Sequence, residues 1–210
     1  MNKTTDVIVR LAILCLALCI IGLGGAMFLY SNLGSDPYNL LAQGLSDLSG
    51  LKVGTISNLM QLFFLVILLL LWRDKINIGT FFATFLIGGS LNFWYGIFTG
   101  MTATPGWPVR IICVTVASFI IGFGVALVQL ADIGMVPNDI MPLYIHRKLP
   151  RFQFRTIRIC YDATQLVLGL LLGGVIGVGT ILCTLLTGPV IQYAVTHLRA
   201  TGFRYFQDRK

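Results

Sequence analysis

The sixteen residues 22–37, GLGGAMFLYSNLGSDP, return one hundred residues later as 122–137, GFGVALVQLADIGMVP, with Gly22, Gly24, Ala26, Gly34 and Pro37 recurring in register. A second block does the same: residues 76–88, INIGTFFATFLIG, are matched by 176–188, IGVGTILCTLLTG, sharing Gly79/Gly179, Thr80/Thr180, Thr84/Thr184 and Gly88/Gly188. Two blocks at one spacing make the chain a single unit written twice. Copies of ~100 residues exceed the 20–50 residue period of solenoids and have the size of the duplicated halves of a membrane transporter.

Composition decides the solvent. The 210 residues are 56% hydrophobic and only 11% charged, and the mean hydropathy is +0.85, which excludes a water-soluble domain. The net charge of +7 is no nucleic-acid signature here, because the basic residues sit between and beyond the apolar runs, as the positive-inside rule requires. Cys15, Cys19, Cys113, Cys160 and Cys183 all lie inside apolar stretches without CxxC spacing, so they read as small core residues and not as a disulfide framework or a metal site. No phosphate-binding loop, hydrolase triad or metal cluster is legible. Neither an enzyme nor a cofactor is therefore expected.

Six apolar runs predict transmembrane helices over residues 11–30, 55–72, 79–98, 111–131, 156–174 and 178–198. The first resembles a secretory leader, but its counterpart lies deep in the chain, so it is read as a permanent span. Pro105, Gly106 and Pro108 mark the seam between repeats 11–98 and 111–198 of one membrane domain. In each copy a short segment follows the Gly-x-x-Pro turn. Asp36 and Pro37 make a good N-cap and first-turn pair, and residues 37–50 are too short at ~1.5 Å per residue to cross, so a re-entrant or interfacial helix is predicted. Its counterpart after Pro137 is expected to be shorter or bent at Pro142.

With both termini in the cytoplasm, thirteen of the fifteen Lys and Arg residues fall inside and only Lys52 and Arg110 outside. The tail 199–210 is then cytoplasmic. Three crossings per copy, an odd number, make the copies inverted-topology repeats. The predicted fold is thus all-α, with six spans in two inverted three-helix repeats, each carrying one short helix.

Charges within a span are costly, about 2.5–3.5 kcal/mol for a mid-helix aspartate. They concentrate in the fifth, where Arg158, Asp162 and Gln165 share one face at i, i+4 and i+7. If Thr55 is aligned with Thr156, the matching face of the second span carries Asn58 and Gln61, with Gln61 opposite Asp162. Both copies aim polar groups at their interface, as a substrate site or as glue between helices. The Gly34/Pro37 and Gly134/Pro137 turns, followed in the second copy by Asn138 and Asp139, complete the candidate substrate-binding set, because a broken helix at membrane depth is tolerated where it lines a wet cavity. Free N–H groups at such a helix start suit an anion, with Asp139 a competitor for them.

The pattern G-x-G-x-A…L-G-x-x-P, the Gly-Thr…Gly run late in each half, and the segments IGVGT and TGPVIQ resemble the YczE/YitT-type family of bacterial membrane proteins over most of residues 20–195. The YczE-like branch is the nearer, because the C-terminal soluble domain of YitT-type members has no counterpart here. The resemblance implies a bacterial inner-membrane protein and supplies no substrate. From the repeats and broken helices, the expected function is a secondary transporter or facilitator of a small polar solute, with its site between the halves. A passive channel of the same fold, or a non-transporting membrane partner, is the alternative. The lipid bilayer is an expected partner, nucleic acid is not, and a homodimer is left open.

Overall fold

The computed structural model describes residues 3–100 and 106–200, with side chains over 5–100 and 106–198. Eight α-helices follow in order: α1 (Lys3–Ser31), α2 (Pro37–Ser49), α3 (Val53–Leu71), α4 (Ile78–Thr99), α5 (Trp107–Ala131), α6 (Pro137–Lys148), α7 (Phe154–Leu171) and α8 (Val178–Ala200). A 3-10 turn, Arg73–Lys75, joins α3 to α4, and there is no strand among the described residues. Pro105 and residues 201–210 of the expected tail lie outside the described residues.

Five helices are long and apolar enough to cross a bilayer: Thr5–Ser31, Val53–Leu71, Ile78–Thr99, Trp107–Ala131 and Val178–Leu198. The chain is a multi-pass membrane protein, in which helices satisfy every backbone group internally. The expected fifth span, α7, differs. Arg155, Arg158 and Asp162 among its 18 residues keep it from qualifying by composition alone.

The helices form two groups of four. α1 packs along α4 and α5, and α5 along α8, while α2 and α6 each pack against both α3 and α7. Two apolar cores in the first group mirror one another: Leu14, Ala17 and Ala83 in one correspond to Val114, Ala117 and Cys183 in the other. Where α1 meets α5, Gly24 lies 3.2 Å from the Ala117 carbonyl oxygen and Gly124 lies 3.2 Å from that of Ala17, measured from where a Cβ would stand. Late residues of each helix meet early residues of the other, so the pair is antiparallel.

Both long first helices of the copies end in left-handed residues, Asn32 (φ 51°) and Asp132 (φ 48°). The following turns then cross to the other copy. Gly34, at φ 99°, sits against Thr180 and Gly177 beside α8, and Gly134 sits against Gly79 and Thr80 of α4. α2 starts as its sequence predicts, with Asp36 capping the Asn39 N–H at 3.1 Å, and ends at Gly50 in the left-handed region. α6 is the shorter of the pair, as expected, though only by one residue. It runs unbroken through Pro142 for 12 residues, against 13 in α2, because a proline in the second turn forfeits only the bond to Asn138.

Among the described residues the two groups are joined mainly along one seam. α3 packs on α4, Gly54 N–H donating to Asn92 Oδ1 (2.9 Å), Gly88 N–H to Asn58 Oδ1 (3.0 Å) and Asn92 Nδ2 to Thr55 Oγ1 (3.2 Å). No comparable packing joins α7 to α8.

Candidate functional site

The short helices α2 and α6 each present their first turn to a cavity of about 200 Å³ lined from both groups. Pro37 and Pro137 fix where those turns begin, so the next residues, Tyr38 and Asn39 in one copy and Asn138 and Asp139 in the other, reach the same space. α3 adds Ser57 and Gln61, and α7 adds Arg158.

Hydrogen bonds hold these groups in place. Tyr38 Oη lies 2.8 Å from the Ser57 carbonyl and 3.0 Å from Ser57 Oγ. The Asn138 N–H donates to Gln61 Oε1 (3.1 Å), tying the start of α6 to the other copy. Asn138 Oδ1 accepts from Gln165 Nε2 (2.6 Å) and Tyr161 Oη (2.7 Å). Arg158 bridges two carboxylates, Asp139 through Nη1 (2.9 Å) and Asp162 through Nε (3.0 Å). Asp36 accepts from Asn39 at both its backbone N–H (3.1 Å) and its side-chain Nδ2 (2.5 Å). Three carboxylates thus face one guanidinium, an excess of two negative charges when all are ionised.

A second cavity of about 420 Å³ adjoins the first and shares Asp139 and Arg158 with it. It lies along α5, α6 and the start of α7, where Gln129, Met135, Leu143 and Phe154 line it. The ion pair stands between the two spaces. A third cleft, about 720 Å³ and nearly all apolar, runs between α2, α3, α6 and α7, clear of the charged groups.

The sequence-predicted residues divide accordingly. Arg158 and Gln165 reach α6 from one face of α7, at Asp139 and Asn138, whereas Asp162 pairs with Arg158 on its own helix; Gln61, Asn138, Asp139 and Arg158 line the central cavity, and Asp162 and Gln165 do not. Gln61 meets Asn138, however, and not Asp162. Asn58 faces α4, with its oxygen on Gly88, and does not line the cavity, as the glue reading had it. Gly34 and Gly134 likewise serve packing between copies, and Pro37 and Pro137 start the helices without lining the space. The expected anion position at the helix starts is taken up by protein acceptors, since Asp36 holds the Asn39 N–H and Gln61 the Asn138 N–H.

Sequence reasoning missed Asp36, Tyr38, Asn39 and Ser57 as lining residues. The repeat held the signal, because Tyr38 and Asn39 occupy the positions of Asn138 and Asp139.

Comparison with known proteins bears out the resemblance read from the motifs. Residues 8–196 match the family model described as a family of unknown function, DUF6198. An uncharacterized protein of Haemophilus influenzae is 29% identical over 187 residues, 87% of this chain and 82% of its own length. The uncharacterized protein YyaS of Bacillus subtilis is 27% identical over 177 residues, 84% of this chain and 88% of its own. The uncharacterized membrane protein YczE of Bacillus subtilis is 28% identical over 163 residues, 78% and 74% of the two chains. No solved structure matches the chain.

Proposed function

Because the chain belongs to the DUF6198 family of YczE-like membrane proteins, we propose that it is a secondary transporter or facilitator of a small polar solute in the bacterial inner membrane. The observation that carries this reading is the central polar cavity, reached by the first turns of both short helices and walled by both copies. In this proposal α7 also crosses, as the fifth of six spans, with Arg158 turned toward Asp139 and the cavity, which relieves its cost in lipid. The two copies are inverted about an axis in the membrane plane. The antiparallel crossing of α1 and α5, the mirrored cores and the reciprocal seating of Gly34 and Gly134 support that arrangement.

With the basic residues inside, the 420 Å³ cavity beside Arg158 opens the cytoplasmic path, and the α3–α4 seam closes the opposite one. Uptake into proteoliposomes of a solute that also raises the melting temperature is the test. Uphill uptake driven by an ion gradient excludes a passive channel. A tight stoichiometric protein partner on gentle purification, with no solute-dependent stabilisation, would favour the non-transporting role instead.

The topology carries its own expected result. Single cysteines at positions 52 and 148, on a background with Cys15, Cys19, Cys113, Cys160 and Cys183 replaced, should react with an impermeant reagent from opposite sides. Labelling of both from one side defeats the inverted arrangement.

A further inference from the structure

The two walls of the central cavity differ in chemistry. Asp36, Tyr38, Asn39, Ser57 and Gln61 face it from one helix group, and Ile21, Ile87, Leu91, Ile121 and Val125 from the other. A solute held there meets hydrogen-bonding groups on one side and, on the other, a wall that is hydrocarbon apart from Thr187 of α8.

Charge then selects among polar solutes. Arg158 is the one cation lining the space among the described residues, and Asp139 and Asp162 already hold its guanidinium. No salt bridge reaches Asp36 among the described residues, and the side chain that donates to its carboxylate is the neutral Asn39. An anion would meet this carboxylate and find the Asn39 and Asn138 N–H groups occupied. A bare metal ion has no use for an apolar wall, and no group of three acidic, histidine or cysteine ligands exists among the described residues.

From these features we propose that the cavity takes a small organic cation, its charged nitrogen at the Asp36 carboxylate and its apolar body against Ile21, Leu91 and Ile121. An ion pair at the half-buried Asp36 carboxylate supplies the affinity, and the mainly hydrocarbon wall separates an alkylammonium from an inorganic cation. The size of the cavity, about 200 Å³, restricts the solute to a few heavy atoms beyond the nitrogen. This deepens the transport reading by naming the class of solute.

The experiment follows the melting temperature of the full chain in phosphatidylcholine nanodiscs at constant ionic strength. Butylammonium chloride is expected to raise it in a saturable manner, whereas sodium chloride and sodium butyrate leave it unchanged. Asp36→Asn keeps a capping oxygen, so the fold survives while butylammonium affinity falls by about tenfold or more. Asp36→Glu should recover part of the loss. Asp47→Asn, on the exposed side of α2, should change nothing. Stabilisation by butyrate, or by sodium alone, or an Asp36→Asn protein that binds butylammonium as before, overturns the proposal, as does the absence of any stabilisation by butylammonium. Binding of butylammonium without uptake would overturn the transport reading and leave the cation site standing. Uptake of an anionic or neutral solute would do the reverse.

Discussion

Arg158→Met is expected to lower stability by about 2–3 kcal/mol. The guanidinium is the shared partner of Asp139 (2.9 Å) and Asp162 (3.0 Å), so its removal leaves two carboxylates near each other with no counter-charge. A fully buried pair broken this way costs ~3–5 kcal/mol, and an exposed pair at most ~1 kcal/mol. With 37%, 31% and 33% of the three side chains accessible, this cluster falls between those limits. The triple replacement Arg158→Met, Asp139→Asn, Asp162→Asn should recover most of the loss, because the repulsion goes with the charges. Asp162→Asn alone should be mild, since the bond from Arg158 to Asp139 persists. Thermal melts of the four proteins in one detergent decide it. An Arg158→Met protein as stable as the parent would mean that water screens the carboxylates and that the cluster holds nothing together.

The helix plan was legible because its physics is local. A run of ~20 apolar residues bounded by charges or by glycine and proline can do little but span, and Asp36 with Pro37 announces a helix start from two residues. The site was legible where the cost of a charge in lipid singled a residue out, hence Arg158, Asp162 and their neighbour Gln165. Asn58 went astray because periodicity gives a face but not its partner: the helix that Asn58 meets, α4, lies thirty residues downstream. Tyr38 and Ser57 escaped for another reason. Neither is costly in a membrane, and only the tertiary approach of α2 to α3 turns them toward the cavity. Pro142 shortens α6 by only one residue relative to α2, since a proline in the second turn of a helix removes a single bond.

Gly88 and Gly188 occupy one position of the repeat, yet their alanine variants should behave as opposites. A Cβ on Gly88 would run into the Gly54 carbonyl oxygen and Asn58 Oδ1, atoms that define the α3–α4 seam, whereas a Cβ on Gly188 meets nothing within 4 Å. The cause lies in the facing helix. Where α3 offers Gly54 and Asn58, the alignment that pairs Thr55 with Thr156 gives α7 Arg155 and Ile159, so the glycine of α8 has lost its close-fitting partner. Gly88→Ala must push α3 from α4 and strip the bonds of Asn58 and Asn92, a change expected to cost about 3 kcal/mol or more. Gly188→Ala gains up to ~1 kcal/mol of helix propensity and loses a comparable amount because Pro189 follows, leaving the melting temperature within error of the parent. Gly54→Ala should fail as Gly88→Ala does, because its own Cβ meets the Gly88 carbonyl oxygen and Asn92. Equal effects at Gly88 and Gly188 would show that α8 carries an intimate helix contact of its own, and the difference between the two halves would fall.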